Sequence, residues 1–353
     1  MDGIFIDYYD PLFGVIVFFL IVFVASFLTY SYNIYKEKVA RSEYKELLER
    51  FGIGNLDESD YVHLYKTYNL PFDSIMLLAT SFVHKGDYNK SISIYLTLLE
   101  HVQDKVKKEE LLEMLGTTYF KGGFLRRSVD IFLKLLEFSP RNTNALKYLL
   151  LCYEKLKDWD KALDTIESLN ELKFDTKEEQ IYIMMQKIMN DPILTYDKKT
   201  EQILSIFNVA KNTTRLTAQY LLIYNKKLFW DMLYQFEIKD IIDLLWYIQF
   251  DDVNFDMVKQ NDLLVQIYSA KGYLKEGCKA TSIVDLDILS LLNTSDKDLR
   301  GRVDLGFDFV CKKCKKNHPM YETRCPHCHS ILSFSVKPKL IKRMNIEENL
   351  SLQ

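Results

Sequence analysis

"LGTTYFKGGFLRRSVDIFLKLL", residues 115–136, carries the pattern that decides the fold. Apolar residues recur at helical spacing on both sides of Gly123, so the stretch reads as helix, turn, helix. The same frame stands 37 residues earlier as "LATSFVHKGDYNKSISIYLTLL" and 34 residues later as "LLLCYEKLKDWDKALDTIESL". Leu78, Leu115 and Leu149 correspond, as do Phe82, Tyr119 and Tyr153. Further along the frame, Tyr88 matches Leu125 and Trp159, Tyr95 matches Phe132 and Ile166, and Leu98 matches Leu135 and Leu169. Ala79 and Gly116 on the first helix are small, as are Ser91, Ser128 and Ala162 on the second. Small residues at fixed places let two antiparallel helices approach closely, while the large ones fill the gaps between neighbouring units.

Gly86 and Gly123 mark the turns, where a residue without Cβ is tolerated, and Pro140 breaks the chain before a new first helix. This helix–turn–helix unit resembles the tetratricopeptide repeat, with two departures in the third copy: Leu150 at a small site and Lys157 at the turn glycine. Beyond residue 170 the frame decays. "IYIMMQKIM", "TEQILSIFNVA", "LTAQYLLIYNKKLFWDMLYQF", "IIDLLWYI" and "DLLVQIYSAKGYLKEG" keep helical apolar spacing, and Tyr268, Gly272 and Tyr273 read as a worn repeat. The expected fold is therefore mainly α, with residues 61–295 one tetratricopeptide-like solenoid that is clearest over 70–170. Such an array offers a concave face to protein partners. The groove positions Met76, Glu113, Lys147 and Thr80, Thr117, Leu151 do not resemble the Lys and Asn clamp of repeats that grip a terminal carboxylate.

The N-terminus sets a second element. From Pro11 to Tyr35 no residue is charged and none is His, and as a helix this run is about 37 Å long, enough for a hydrocarbon core of about 30 Å. Residues 1–10 hold no Lys or Arg and the run is long, which argues against a cleaved signal peptide. Lys36, Lys38, Arg41, Lys45 and Arg50 follow it, so a periplasmic N-terminus (1–10), a span (11–35) and a cytoplasmic body are expected. Residues 36–60 either continue that helix or link it to the array. With 48% hydrophobic and 27% charged residues the chain is globular, and a net charge of −3 gives no reason to expect nucleic acid.

Four of the six cysteines stand in "CKKCKKNHPMYETRCPHC": Cys311 and Cys314, then ten residues, then Cys325 and Cys328. Two Cys-x-x-Cys hooks point four thiolates at one ion, a tetrahedral set suited to zinc or a single iron. "FDFV" before and "ILSFSV" after read as strands, so residues 305–338 form a small metal module, with 339–353 a tail. A segment of this size cannot bury enough surface to fold alone, so the ion supplies stability. His318, His327 and His329 lie close, but four sulphurs already close the coordination sphere. Lys315 and His329 occupy the position after each hook, where knuckles commonly use glycine because the backbone tends to positive φ. Lys312, Lys313, Lys315 and Lys316 read as a solvated basic loop. Cys152 reads as a small buried hydrophobe, Cys278 stands alone, and His63, His84 and His101 have no ligand or triad partners in the pattern. None of the phosphate-loop, dinucleotide, zinc-protease or nucleophile-elbow motifs occurs, so the reading is not an enzyme.

An N-terminal anchor, tetratricopeptide-like repeats and a C-terminal "FVCKKC…Y…CPHC" rubredoxin-type pair, in this order, resemble the lipopolysaccharide assembly protein B family. The resemblance implies a single-pass inner-membrane adaptor, with Cys311, Cys314, Cys325 and Cys328 holding one iron or zinc ion. It further implies that a membrane-anchored AAA-type protease and the deacetylase committed to lipid A are the partners, and that the metal module packs against the repeats. A general scaffold for another envelope assembly and a rubredoxin-like electron carrier are the alternatives, and oligomeric state stays open.

Overall fold

The computed structural model describes residues 11–53, 60, 71–274, 281, 283–295 and 302–343. His63 and Cys278, and the segments 1–10 and 344–353, lie outside the described residues. Helix α1 runs unbroken from Pro11 to Ile53, so residues 36–53 extend the apolar helix. Val15–Lys36 is the one helix segment among the described residues long and apolar enough to cross a membrane, and no part of it is buried in the protein. Phe18, Phe19, Phe23 and Leu28 all stand outward, as a lipid-facing helix requires.

The chain divides into two compact units, one ending at Lys157 and the other beginning at Asp158. In the first, α2 (Phe72–Lys85) pairs with α3 (Tyr88–His101), α4 (Lys105–Lys121) with α5 (Leu125–Phe138), and α6 (Thr143–Leu156) packs on both α4 and α5. The repeat frame explains the pairing atom by atom. Ser91 Oγ donates to the Ala79 carbonyl at 2.7 Å, and its counterpart Ser128 Oγ donates to the Gly116 carbonyl at 2.8 Å. A Cβ on Gly116 would sit 2.8 Å from the Phe132 ring, so the α4–α5 approach depends on its absence. Tyr95, Leu98, Phe132, Leu135 and Leu115, all repeat positions, are almost fully buried. Each contributes roughly 1.5–3 kcal/mol by leaving water. Gly86 (φ 83°) and Gly123 (φ 79°) turn the chain in the left-handed region, and Lys157 takes the same conformation at φ 59° despite its side chain. Asp104 and Asn142 cap α4 and α6 through their side-chain oxygens.

The second unit opens with α7 (Trp159–Glu171), α8 (Lys177–Asn190), α9 (Tyr196–Val209) and α10 (Thr214–Tyr224), each packed on the next. Regular length then ends. "LTAQYLLIYNKKLFWDMLYQF", a stretch of helical apolar spacing, breaks at Asn225, whose extended backbone (φ −153°) and side-chain acceptance from Leu228 N–H start the short α11, Lys226–Met232. Single 3-10 turns and the one- to two-turn helices α12 (Ile242–Tyr247) and α13 (Phe255–Val258) follow. Helices α14 (Asp262–Ala270) and α15 (Val284–Ser295) pack together, and Gly272 at φ 82° lets Tyr273 stack on Tyr268.

The sheet belongs to this same unit. β1 (Val303–Cys311) lies between β2 (Asn317–His318) and β3 (Phe334–Lys342), all antiparallel. Its register pairs Val303 with Lys342, so the module extends past the 305–338 expected from sequence, and residues 339–342 are strand rather than tail. The reason is mutual pairing: each end residue finds its backbone partner only on the other strand. α15 packs on β1 and β3, and α12 on β3, so helices and sheet share one core.

Candidate metal centre

Two local turns of identical construction build the site. The N–H of Cys311 donates to the Lys316 carbonyl at 3.0 Å, and the N–H of Lys315 donates back to the Cys311 carbonyl at 2.9 Å. The second hook repeats this: Cys325 N–H to the Ser330 carbonyl at 2.8 Å, and His329 N–H to the Cys325 carbonyl at 2.9 Å. Both close through a left-handed residue, Lys315 at φ 62° and His329 at φ 59°, the two positions where glycine was the common choice. A side chain there costs about 1–2 kcal/mol of backbone strain, which the paired hydrogen bonds must hold.

The sulphurs meet as the hooks fold over each other. Cys311 Sγ lies 3.7 Å from Cys328 Sγ, and Cys314 Sγ lies 3.7 Å from Cys325 Sγ. All four are unbonded and lie within 4.8 Å of one another. A tetrahedron of thiolates at about 2.3 Å from an ion has edges of roughly 3.8 Å, so this set is able to hold one ion. The donor set suits iron and zinc alike. Cys311 and Cys325 are buried, Cys314 half-buried and Cys328 exposed.

The electrostatics favour a cation at the centre. Burial pushes the Cys311 thiol up, but its contacts with Ser330 and Ser333 and donation from the Cys314 and Lys313 amides outweigh it, holding the pKa down to about 5. At Cys328 burial again opposes ionisation and Ser330 overcomes it, lowering the pKa. Burial drives Cys325 the other way, up to about 12, against amide donation from Cys328 and His327. Neighbouring thiolates cannot all ionise unaided, and a divalent cation would supply the charge that lets them.

The three histidines stay outside the sulphur set. His318 Nε2 is 3.7 Å from Cys325 Sγ and its ring meets Phe334 edge-on, His327 is exposed, and His329 serves the turn. Lys312, Lys313, Lys315 and Lys316 are exposed around the first hook, with Lys312 Nζ 3.9 Å from Asp240. His84 and His101 lie on α2 and α3, far along the chain from the sulphurs, and Cys152 is buried in α6 with its thiol raised by burial.

Residues absent from the sequence reading tie the centre to the helices. Arg215 of α10 places its guanidinium 3.8 Å over the ring of Tyr321, the tyrosine between the hooks, and 5.6 Å from Phe309. The same group forks onto buried Asp243 of α12 at 2.7 and 2.5 Å and donates to the Asp240 carbonyl at 2.9 Å. Burial pushes the Tyr321 hydroxyl up to about 12. Tyr247 meets Phe307 edge-on at 5.9 Å along the same seam. A lone Arg in the otherwise uncharged "TRLTAQYLLIY" was the available signal, but nothing in the sequence says what it would pair with.

No family model matches the chain. It is 29% identical over 107 residues to lipopolysaccharide assembly protein B of Escherichia coli (strain K12), covering 30% of this chain and 28% of that one. The namesake from Haemophilus influenzae is 26% identical over 104 residues, 29% of this chain and 26% of its own. Photosystem I assembly protein Ycf3 of Prochlorococcus marinus is 31% identical over 72 residues, 20% of this chain and 42% of its own. The match to a solved structure, BtubC (BKLC) from P. vanneervenii, covers 67% of this chain and 97% of that one at 14% identity, with a TM-score of 0.29. The relatives are named as assembly proteins rather than enzymes, in line with the absence of catalytic motifs from the sequence. The matched stretch spans about a quarter of the first two relatives, and the chain's curated homologues include proteins named lipopolysaccharide assembly protein B.

Proposed function

We propose that this protein is a single-pass inner-membrane scaffold in lipopolysaccharide assembly, its body cytoplasmic, that acts by bringing proteins together. In the finer reading it is an adaptor that presents the lipid A-committing deacetylase to a membrane-anchored AAA-type protease. Cys311, Cys314, Cys325 and Cys328 hold one iron or zinc ion, whose contribution is to fix the module's shape. The observation that carries this reading is the seam itself: four sulphurs closed on one another, their module held to helices through Arg215, Tyr321 and Asp243. A closed thiolate set leaves no position for substrate and suits a clasp. An exposed apolar helix on the same chain, and homologues with this name, support the membrane setting and the process. Tethering at a membrane raises the effective concentration of a soluble substrate near a membrane partner.

The test is depletion of the protein in its own cell. Deacetylase level and lipopolysaccharide are both expected to rise. An unchanged deacetylase level with unchanged turnover removes the adaptor reading.

A further inference from the structure

Ser330 and Ser333 are not ligands, yet both are buried against the sulphurs. Ser330 Oγ lies 3.1 Å from Cys328 Sγ, 3.4 Å from Cys311 Sγ and 2.7 Å from Ser333 Oγ. Ser333 Oγ lies 3.4 Å from Cys311 Sγ. Each hydroxyl has one proton, and a metal-bound thiolate only accepts, so two protons serve four contacts. The shortest assignment has Ser333 donate to Ser330 and Ser330 donate to Cys328. A donor that is itself hydrogen-bonded in this sense is polarised and binds its acceptor more strongly.

The position of that bond matters. Cys328 is the exposed corner of the sulphur set, while Cys311 and Cys325 are buried. A competing chelator or thiol meets the exposed sulphur first, so the departure of an ion begins there. Hydrogen bonding to a thiolate draws charge from it and holds it in place, as outer partners do around other metal sites. Resting on the tetrathiolate reading above, we propose that Ser330, polarised by Ser333, locks the exposed Cys328 corner and sets how slowly the ion leaves. Both are positioning residues, acting on the ion through sulphur.

The experiment uses the full chain in detergent, loaded with zinc, and follows transfer of the metal to a chromogenic chelator. Ser330→Ala still binds one ion but releases it about tenfold faster, the scale of one hydrogen bond to a charged group. Ser333→Ala releases at an intermediate rate. The double variant matches Ser330→Ala alone, because Ser333 works through Ser330. Cobalt(II) loading adds a readout that a packing role would not move: the sulphur-to-cobalt band shifts to longer wavelength when the O–H donor is lost. Release at the native rate with an unshifted band overturns the proposal, and so do additive effects of the two serines. Should Ser330→Ala not fold, Ser333→Ala decides by the same two readouts. A native chain that takes up neither zinc nor cobalt overturns the ligand set itself, a result reached without any serine variant.

Discussion

Arg215 concentrates the most consequence in one side chain. Its charge is buried with that of Asp243, the two side chains 8% and 7% exposed, and its flat face covers Tyr321. Removing one partner of a buried pair leaves the other charge uncompensated, at about 3–5 kcal/mol. Arg215→Ala is expected to destabilise by this amount, read as a lower denaturation midpoint, while Arg215→Ala with Asp243→Leu recovers part of the loss. A single variant within 1 kcal/mol of the native chain would remove Arg215 from the seam. Of the residues around the centre, the four cysteines and the left-handed Lys315 and His329 were legible, because local spacing dictates them. Arg215, Asp243, Ser330 and Ser333 were not, since their roles depend on partners far away in sequence or on side-chain directions.

At the scale of elements, the repeat frame is a rule about how near two helices come. Gly116 faces the Phe132 ring so closely that an added methyl would overlap it. Gly116→Ala raises helix propensity by about 1 kcal/mol but forces Phe132 from a fully buried place, and overpacking costs about 1–3 kcal/mol. A net loss of thermal stability is expected by calorimetry, and a gain would mean that α4 and α5 separate at little cost. Period and small-residue placement made α2 to α7 readable in advance. The region from Lys211 to Val258 was not, because apolar spacing shows that a segment is helical without showing where a residue such as Asn225 stops it.

At the scale of the molecule, metal occupancy and the stability of the second unit are expected to rise and fall together. The Cys325 thiol, pushed up to about 12, keeps its proton at neutral pH unless a cation displaces it. Uptake therefore releases protons and the apparent affinity climbs with pH, whereas acid drives the ion off. Lowering the pH, or adding a strong chelator, is expected to reduce bound metal and, in parallel, hydrogen-exchange protection in α12 and β3, which pack together. Protection that survives complete metal removal would show that the helices hold the sheet without the ion.

The sequence by itself determined the local matters: an apolar helix of spanning length, helix pairs repeated in a fixed frame, and two cysteine hooks able to share one ion. These follow from short-range spacing, which period and turn chemistry express directly. Only the tertiary structure decided that the metal module shares a core with the later helices, that β3 continues to Lys342, and that one arginine joins the hooks to α12. Such contacts link residues about 25 to 110 positions apart, as from Arg215 to Asp243 and Tyr321. No local pattern encodes which distant side chain will complete a buried charge.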